Sequence, residues 1–123
     1  MQTQVNWFEI ATKDLQRATR FYESVFATTL RQETISEGMP MAIFMRDNGQ
    51  SSGCLTGGNW IEPSTQGTLV YLDAGPSIQA LLDRVEAAGG KIAMERTQLP
   101  KDIGYIAQFI DTEGNRVALH AMN

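Results

Sequence analysis

A chain of 123 residues, 42% hydrophobic and 20% charged, has the size of one domain and enough apolar side chain for a core, which excludes a disordered segment. Its formal charge of −4, with ten Lys and Arg scattered along the chain, leaves no electrostatic footprint for nucleic acid or an anionic membrane surface. No apolar run approaches the roughly 20 residues that cross a bilayer, Met1-Gln2-Thr3-Gln4 lacks the basic start and apolar stretch of a signal peptide, and one Cys with one His excludes both an internal disulfide and zinc-finger spacing. The expectation is a cytoplasmic protein.

Val5–Ala11, with its aromatic and β-branched residues, reads as a strand. Asp14 then offers an N-cap for a helix from Leu15 to about Phe26, with Leu15, Ala18, Phe21 or Tyr22, and Val25 as its inner stripe. Strands follow over Leu30–Ile35 and Met41–Arg46, separated by a turn at Ser36–Pro40. Asp47-Asn48-Gly49 is a second turn, and a short strand lies around Gly53–Thr56. The breaker-rich segment Gly57–Ser64 is the connector.

The order then recurs. Gly67–Asp73 is a strand, Ser77 caps a helix over Ile78–Ala88 with Ile78, Leu81, Leu82 and Val85 inward, and Gly89-Gly90 stop it. Lys91–Arg96 is a strand and Thr97–Ile103 a loop. Tyr105–Ile110 and Arg116–His120 form a hairpin about Asp111–Asn115, where Gly114 supplies the positive φ of a tight reversal. Matching positions keep a nearly constant offset: 62 residues from Phe8 to Val70, 63 from Asp14 to Ser77 and 65 from Gly49 to Gly114. A βαβββ unit used twice, in half-modules 1–58 and 66–123 of one domain, is the economical description. The fold class is α+β, with helices on one face of cupped, antiparallel or mixed sheets.

Asn6-Trp7-Phe8-Glu9-Ile10 with Asp14-Leu15 and Phe21-Tyr22, and Asp111-Thr112-Glu113-Gly114-Asn115-Arg116-Val117, resemble the vicinal oxygen chelate superfamily of glyoxalase I, bleomycin-resistance proteins and extradiol dioxygenases. The resemblance covers nearly the whole chain. It implies paired βαβββ modules, a cup that receives a small ligand, often a divalent metal, and commonly a homodimer. The implied metal ligands are His, Gln or Glu on the cup face of the first and last strands of each module. Strand parity puts Phe8, Ile10, Val70, Leu72, Val117 and Leu119 under the helices, and Trp7, Glu9, Ala11, Leu69, Tyr71, Arg116, Ala118 and His120 toward the cup. Trp7 then stands where the family commonly has its first histidine and Ala118 where it has the closing glutamate. The other two positions fall on Leu69, or by a one-residue slip Thr68 or Val70, and near Gly53, Cys54 or Leu55. These residue types suit no divalent site except through the soft Cys54, and a Glu9–His120 pair would supply only two ligands, so a divalent metal is disfavoured and no cofactor is expected.

The cup retains Trp7, Glu9, Tyr71, Gln108 and His120, a set that suits a small organic ligand: aromatic faces for planar surface, a carboxylate and an imidazole for orientation. Three readings follow. One is a metal-free binder of a small, partly aromatic or hydrophobic molecule, its site built from both chains of a homodimer. A second is a glyoxalase-like lyase or isomerase with Glu9 as general base and His120 or Tyr71 as acid. The third is a structural or regulatory module whose cup is filled by Trp7, Tyr71 and its own side chains.

Overall fold

Alternation of apolar residues decides which side of each strand meets a helix, and in this chain both halves turn that side toward the same core. The computed structural model describes residues 2–34 and 38–123. The first half consists of β1 (Phe8–Ala11), α1 (Leu15–Phe26), β2 (Arg31–Thr34), β3 (Pro40–Met45) and β4 (Ser51–Thr56). The second consists of β5 (Tyr71–Asp73), α2 (Ile78–Val85), β6 (Lys91–Gln98), β7 (Tyr105–Ile110) and β8 (Arg116–Ala121). Each half builds a four-stranded sheet of the same topology, β1-β4-β3-β2 and β5-β8-β7-β6, with the first and last strands parallel and the other pairs antiparallel. This is the α+β fold of two βαβββ modules with mixed sheets. No helix among the described residues is long and apolar enough to cross a membrane.

Some boundaries differ from the sequence reading, each for a local reason. β1 starts at Phe8 rather than Val5 because its ladder to β4 begins at Phe8 opposite Gly53, and Val5 is exposed. β5 is three residues instead of seven: Gly67 turns at φ 95°, and regular pairing with β8 begins at Tyr71 opposite Ala118. Helix α2 ends at Val85, not Ala88, because Gly89 at φ 107° unwinds the chain and the Gly90 N–H closes on the Val85 carbonyl. β6 extends through Gln98, two residues into the expected loop. Ile35 at the end of the expected strand, and part of the Ser36–Pro40 turn, lie outside the described residues.

The core is shared. Ala18, Phe21, Tyr22 and Val25 of α1 and Ile78, Leu81, Leu82 and Val85 of α2 meet Ile10, Ala42 and Leu55 of one sheet and Ala107, Phe109, Val117 and Leu119 of the other. Both Phe21 and Tyr22 are buried, and each ring lies against Phe109 from the opposite half, at centroid distances of 5.6 and 6.0 Å. Phe8 and Phe44 flank Gly53 on this side of the first sheet, their rings 5.6 Å apart. A Cβ on Gly53 would sit 2.5 Å from the Phe8 ring, so only glycine lets that ring cover the strand.

The β7–β8 turn ties the halves together. Within it the Asp111 carboxylate accepts the N–H groups of Glu113 and Asn115, each at 2.9 Å, and Gly114 adopts φ 100°. Its second oxygen accepts the buried Tyr22 hydroxyl at 2.7 Å, and the Asn115 amide donates to the Ala11 carbonyl at 2.7 Å. Glu113 reaches the start of α1, where one carboxylate oxygen accepts the Lys13 and Asp14 N–H groups, both at 2.8 Å. The Arg17 guanidinium donates to both oxygens, at 2.9 and 3.0 Å. The Glu113 side chain has no solvent exposure. Burial by itself would raise its pKa, but Arg17, the Asp14 and Lys13 N–H groups and the Thr112 hydroxyl together lower it from an ordinary 4.5 to about 2. The positive end of α1 favours the same charge state.

Two consequences can be measured by urea unfolding. A carboxyl whose folded pKa lies below its unfolded value stabilises fully above the unfolded value and loses that contribution as pH falls through the folded one. Glu113 therefore contributes about 3 kcal/mol near neutral pH that disappears between about pH 5 and pH 2. Glu113→Gln should lose roughly that amount at pH 7 and show a flatter acid limb; parallel pH profiles for the two proteins would contradict the assignment. Gly53→Val should cost roughly 1–3 kcal/mol by driving Phe8 off the strand.

Candidate functional site

The rows of side chains opposite the core make two faces. On the first sheet the register aligns Glu9, Cys54, Ile43 and Arg31, and beside them Ala11, Thr56, Met41 and Glu33. Met41, Ile43 and Cys54, with the partly buried Met45 against them, form a small apolar cluster separate from the main core. Trp7, just before β1, lies near the Cys54 thiol and is 37% exposed. Trp60, from the connector, is 50% exposed, and its indole N–H points to a Glu9 carboxylate oxygen at 3.5 Å. The Trp60 ring lies directly on Gly58, where any Cβ would collide with it. Burial lifts the Cys54 thiol to about 11, with the nearby Glu9 charge adding to the rise and the Trp7 N–H opposing it.

On the second sheet the aligned rows are Tyr71, Ala118, Gln108 and Met94, then Asp73, His120, Ile106 and Thr97. Tyr71, Asp73 and His120 line an open hollow of about 570 Å³ with Leu72, Leu99, Ile103 and Ile106. Tyr71 is 48% exposed. The His120 Nε2 lies 2.6 Å from the Ile103 carbonyl oxygen; since a carbonyl only accepts, Nε2 carries the proton, and the imidazole is aimed by the 99–104 loop. Gly104, at φ 98°, leaves no room for a Cβ between the Ala121 carbonyl and the His120 ring. Gln108 accepts from the Arg116 guanidinium at 2.9 Å beside the fully buried Ala118.

The five side chains singled out in the sequence thus divide between the faces. Tyr71 and His120 share the hollow and Gln108 stands on the same sheet, two strands from Tyr71. Trp7 and Glu9 belong to the other sheet, and among the described residues no strand pairing joins the two sheets. Trp60, Asp73, Leu99, Ile103 and Ile106 were not foreseen as lining residues. A tryptophan inside a Gly- and Pro-rich connector was the available signal for Trp60; the others are ordinary strand and loop residues until the register is known.

The positions at which the resemblance implies metal ligands are poor in donor atoms. Of Gly53, Cys54 and Leu55, the register puts Cys54 on the face with Glu9, and Leu55 in the main core. Ala118 has no donor atom, the nitrogen lone pair of the Trp7 indole belongs to its π system, and a thiol near pKa 11 stays protonated at neutral pH. Thr68, Leu69 and Val70 precede β5 and add at most one hydroxyl. These side chains do not make the donor set of a divalent centre. Among the described residues no group of three or more His, Cys, Asp or Glu is arranged to hold a metal ion.

Comparison with known proteins agrees with the architecture. The hypothetical protein SA1046 from S. aureus superposes with a TM-score of 0.68 at 18% identity, over 98% of this chain and 94% of that one. The fosfomycin resistance protein FosX from Listeria monocytogenes gives 0.67 at 19% identity, over 98% and 92%. A V278E mutant of glyoxalase I from Zea mays gives 0.71 at 22% identity over 94% of this chain but 45% of that one, so the chain spans less than half of the maize enzyme. At such identities the likeness carries the fold alone. No curated protein matches the chain. The family model of the Glyoxalase/Bleomycin resistance protein/Dioxygenase superfamily matches residues 4–119, and with this match over the duplicated βαβββ fold the chain belongs to that superfamily.

Proposed function

We propose that the chain binds a small, partly aromatic or hydrophobic molecule on the sheet faces turned away from its helices, and does so without a metal. One observation carries this reading. Trp7, Trp60 and Tyr71 remain 37%, 50% and 48% exposed beside a carboxylate and an imidazole, where side chains that merely filled a cup would be buried. The partly buried Met45, at the edge of the buried Met41, Ile43 and Cys54 cluster on one sheet, and the Ile103 and Ile106 wall on the other supply apolar surface. His120, held through Nε2, keeps Nδ1 for a polar group of the ligand. Each face is open in a single chain, so a homodimer that sets the first-half face of one copy against the second-half face of the other would enclose the ligand. The cytoplasm is the compartment proposed for this binding.

A thermal-shift titration with neutral aromatics such as indole and 2-naphthol tests the reading. A saturable rise in melting temperature, reduced in Tyr71→Ala and Trp60→Leu, is expected, since a molecule that binds only the native state raises it. No shift across the set would favour a cup closed by its own side chains. Elemental analysis of protein purified without chelator should find less than one tightly held divalent ion per chain; a stoichiometric ion would overturn the metal-free part. Because the Cys54 thiol lies near 11, iodoacetamide at pH 7.5 should label the folded protein far more slowly than the urea-unfolded one, and rapid labelling of the native state would contradict its burial.

A further inference from the structure

The first-sheet face has a chemical bias that the second lacks. Glu9 lies in register with Cys54 and is exposed. Among the described residues its only side-chain hydrogen bond is the long one from Trp60, at 3.5 Å, and no basic side chain pairs with it. The one cation in the same row, Arg31, stands at the far strand β2 and pairs with its neighbour Glu33 at 3.4 Å. The carboxylate therefore has no cationic partner in the chain and most of its acceptor capacity is open to something outside it.

Two indoles stand beside it. Trp7 lies near the Cys54 thiol, and Trp60 is seated on the bare backbone of Gly58 with its N–H toward Glu9. Both leave ring surface open, at 37% and 50% exposure. An indole face attracts positive charge through its quadrupole, and a carboxylate alongside adds direct Coulomb attraction. Beneath them Met41, Ile43 and Cys54 are buried as an uncharged layer that brings no cation to the carboxylate, and the thioether of the partly buried Met45 at its edge adds polarisable surface suited to a carbon skeleton.

We propose that this face takes an organic cation, an aromatic or aliphatic ammonium compound whose charged nitrogen lies against Glu9 and the Trp7 and Trp60 rings. The inference rests on the ligand-binding reading above and narrows it to a charge class. Isothermal titration and tryptophan fluorescence with benzyltrimethylammonium and phenethylamine, against neutral benzyl alcohol and anionic phenylacetate, test it. The cations should bind at least about ten-fold tighter than either comparison compound. Glu9→Gln, at an exposed position, should keep its melting temperature while the preference for cation over neutral probe falls to within about two-fold. Trp60→Leu should weaken every probe. Equal affinity for cation and neutral probe, or a preference that survives Glu9→Gln, overturns the cation assignment while leaving aromatic binding intact. Failure of all four probes to bind overturns both.

Discussion

A carboxylate buried at the start of a helix in the other half of the chain is the contact on which the rest of this structure depends. Glu113 belongs to the β7–β8 turn, yet it satisfies the Lys13 and Asp14 N–H groups and holds Arg17. Those N–H groups lie at the N-cap of α1 and the residue before it, and have no partner within the helix. One side chain therefore anchors the entry to α1, and with Asp111 and Asn115 it fixes how the second half approaches the first. Its low pKa records the same fact in another form: the surroundings are built for the anion.

The functional surface follows from that joint. With the helices of both halves in one core, every strand but the polar, exposed β2 turns apolar residues to the inner side. The opposite side can then carry side chains that the main core does not demand: a phenol, a carboxylate and an imidazole stand there on the strands, with two indoles beside them. The faces are unlike. The first joins Glu9 and two tryptophans to a sulfur-rich floor, and the second joins Tyr71, Asp73 and His120 to an isoleucine wall. Such asymmetry between duplicated halves fits recognition of a molecule whose two ends differ in chemistry.

Much of this could be read from residue order, and what could not has a common cause. Parity on Phe8-Glu9-Ile10 and Val117-Ala118-Leu119 placed each residue on its observed side, because a period of two leaves no choice once one face is apolar. Duplication was visible in the offset between Asp14 and Ser77, both of which cap helices through their side chains. The lengths of β1, β5 and α2 were overestimated, since they end where long-range pairing or a positive-φ glycine ends them, not where propensity does. The turn Asp111–Asn115 was legible as a turn, but its sequence is that of a solvated reversal. Nothing local marks Glu113 as buried, because its partners lie about a hundred residues away. Trp60 was hidden similarly: a connector composition says loop, and only the tertiary structure brings its N–H to Glu9.

Native-state hydrogen exchange at the Lys13 and Asp14 amides tests the joint most directly. If the Glu113 carboxylate holds the halves together, both amides should exchange only through global unfolding, with protection that falls on adding denaturant as steeply as that of core amides such as Val117 and Leu119. Exchange of these two amides through a local opening insensitive to denaturant, while the core stays protected, would contradict the account.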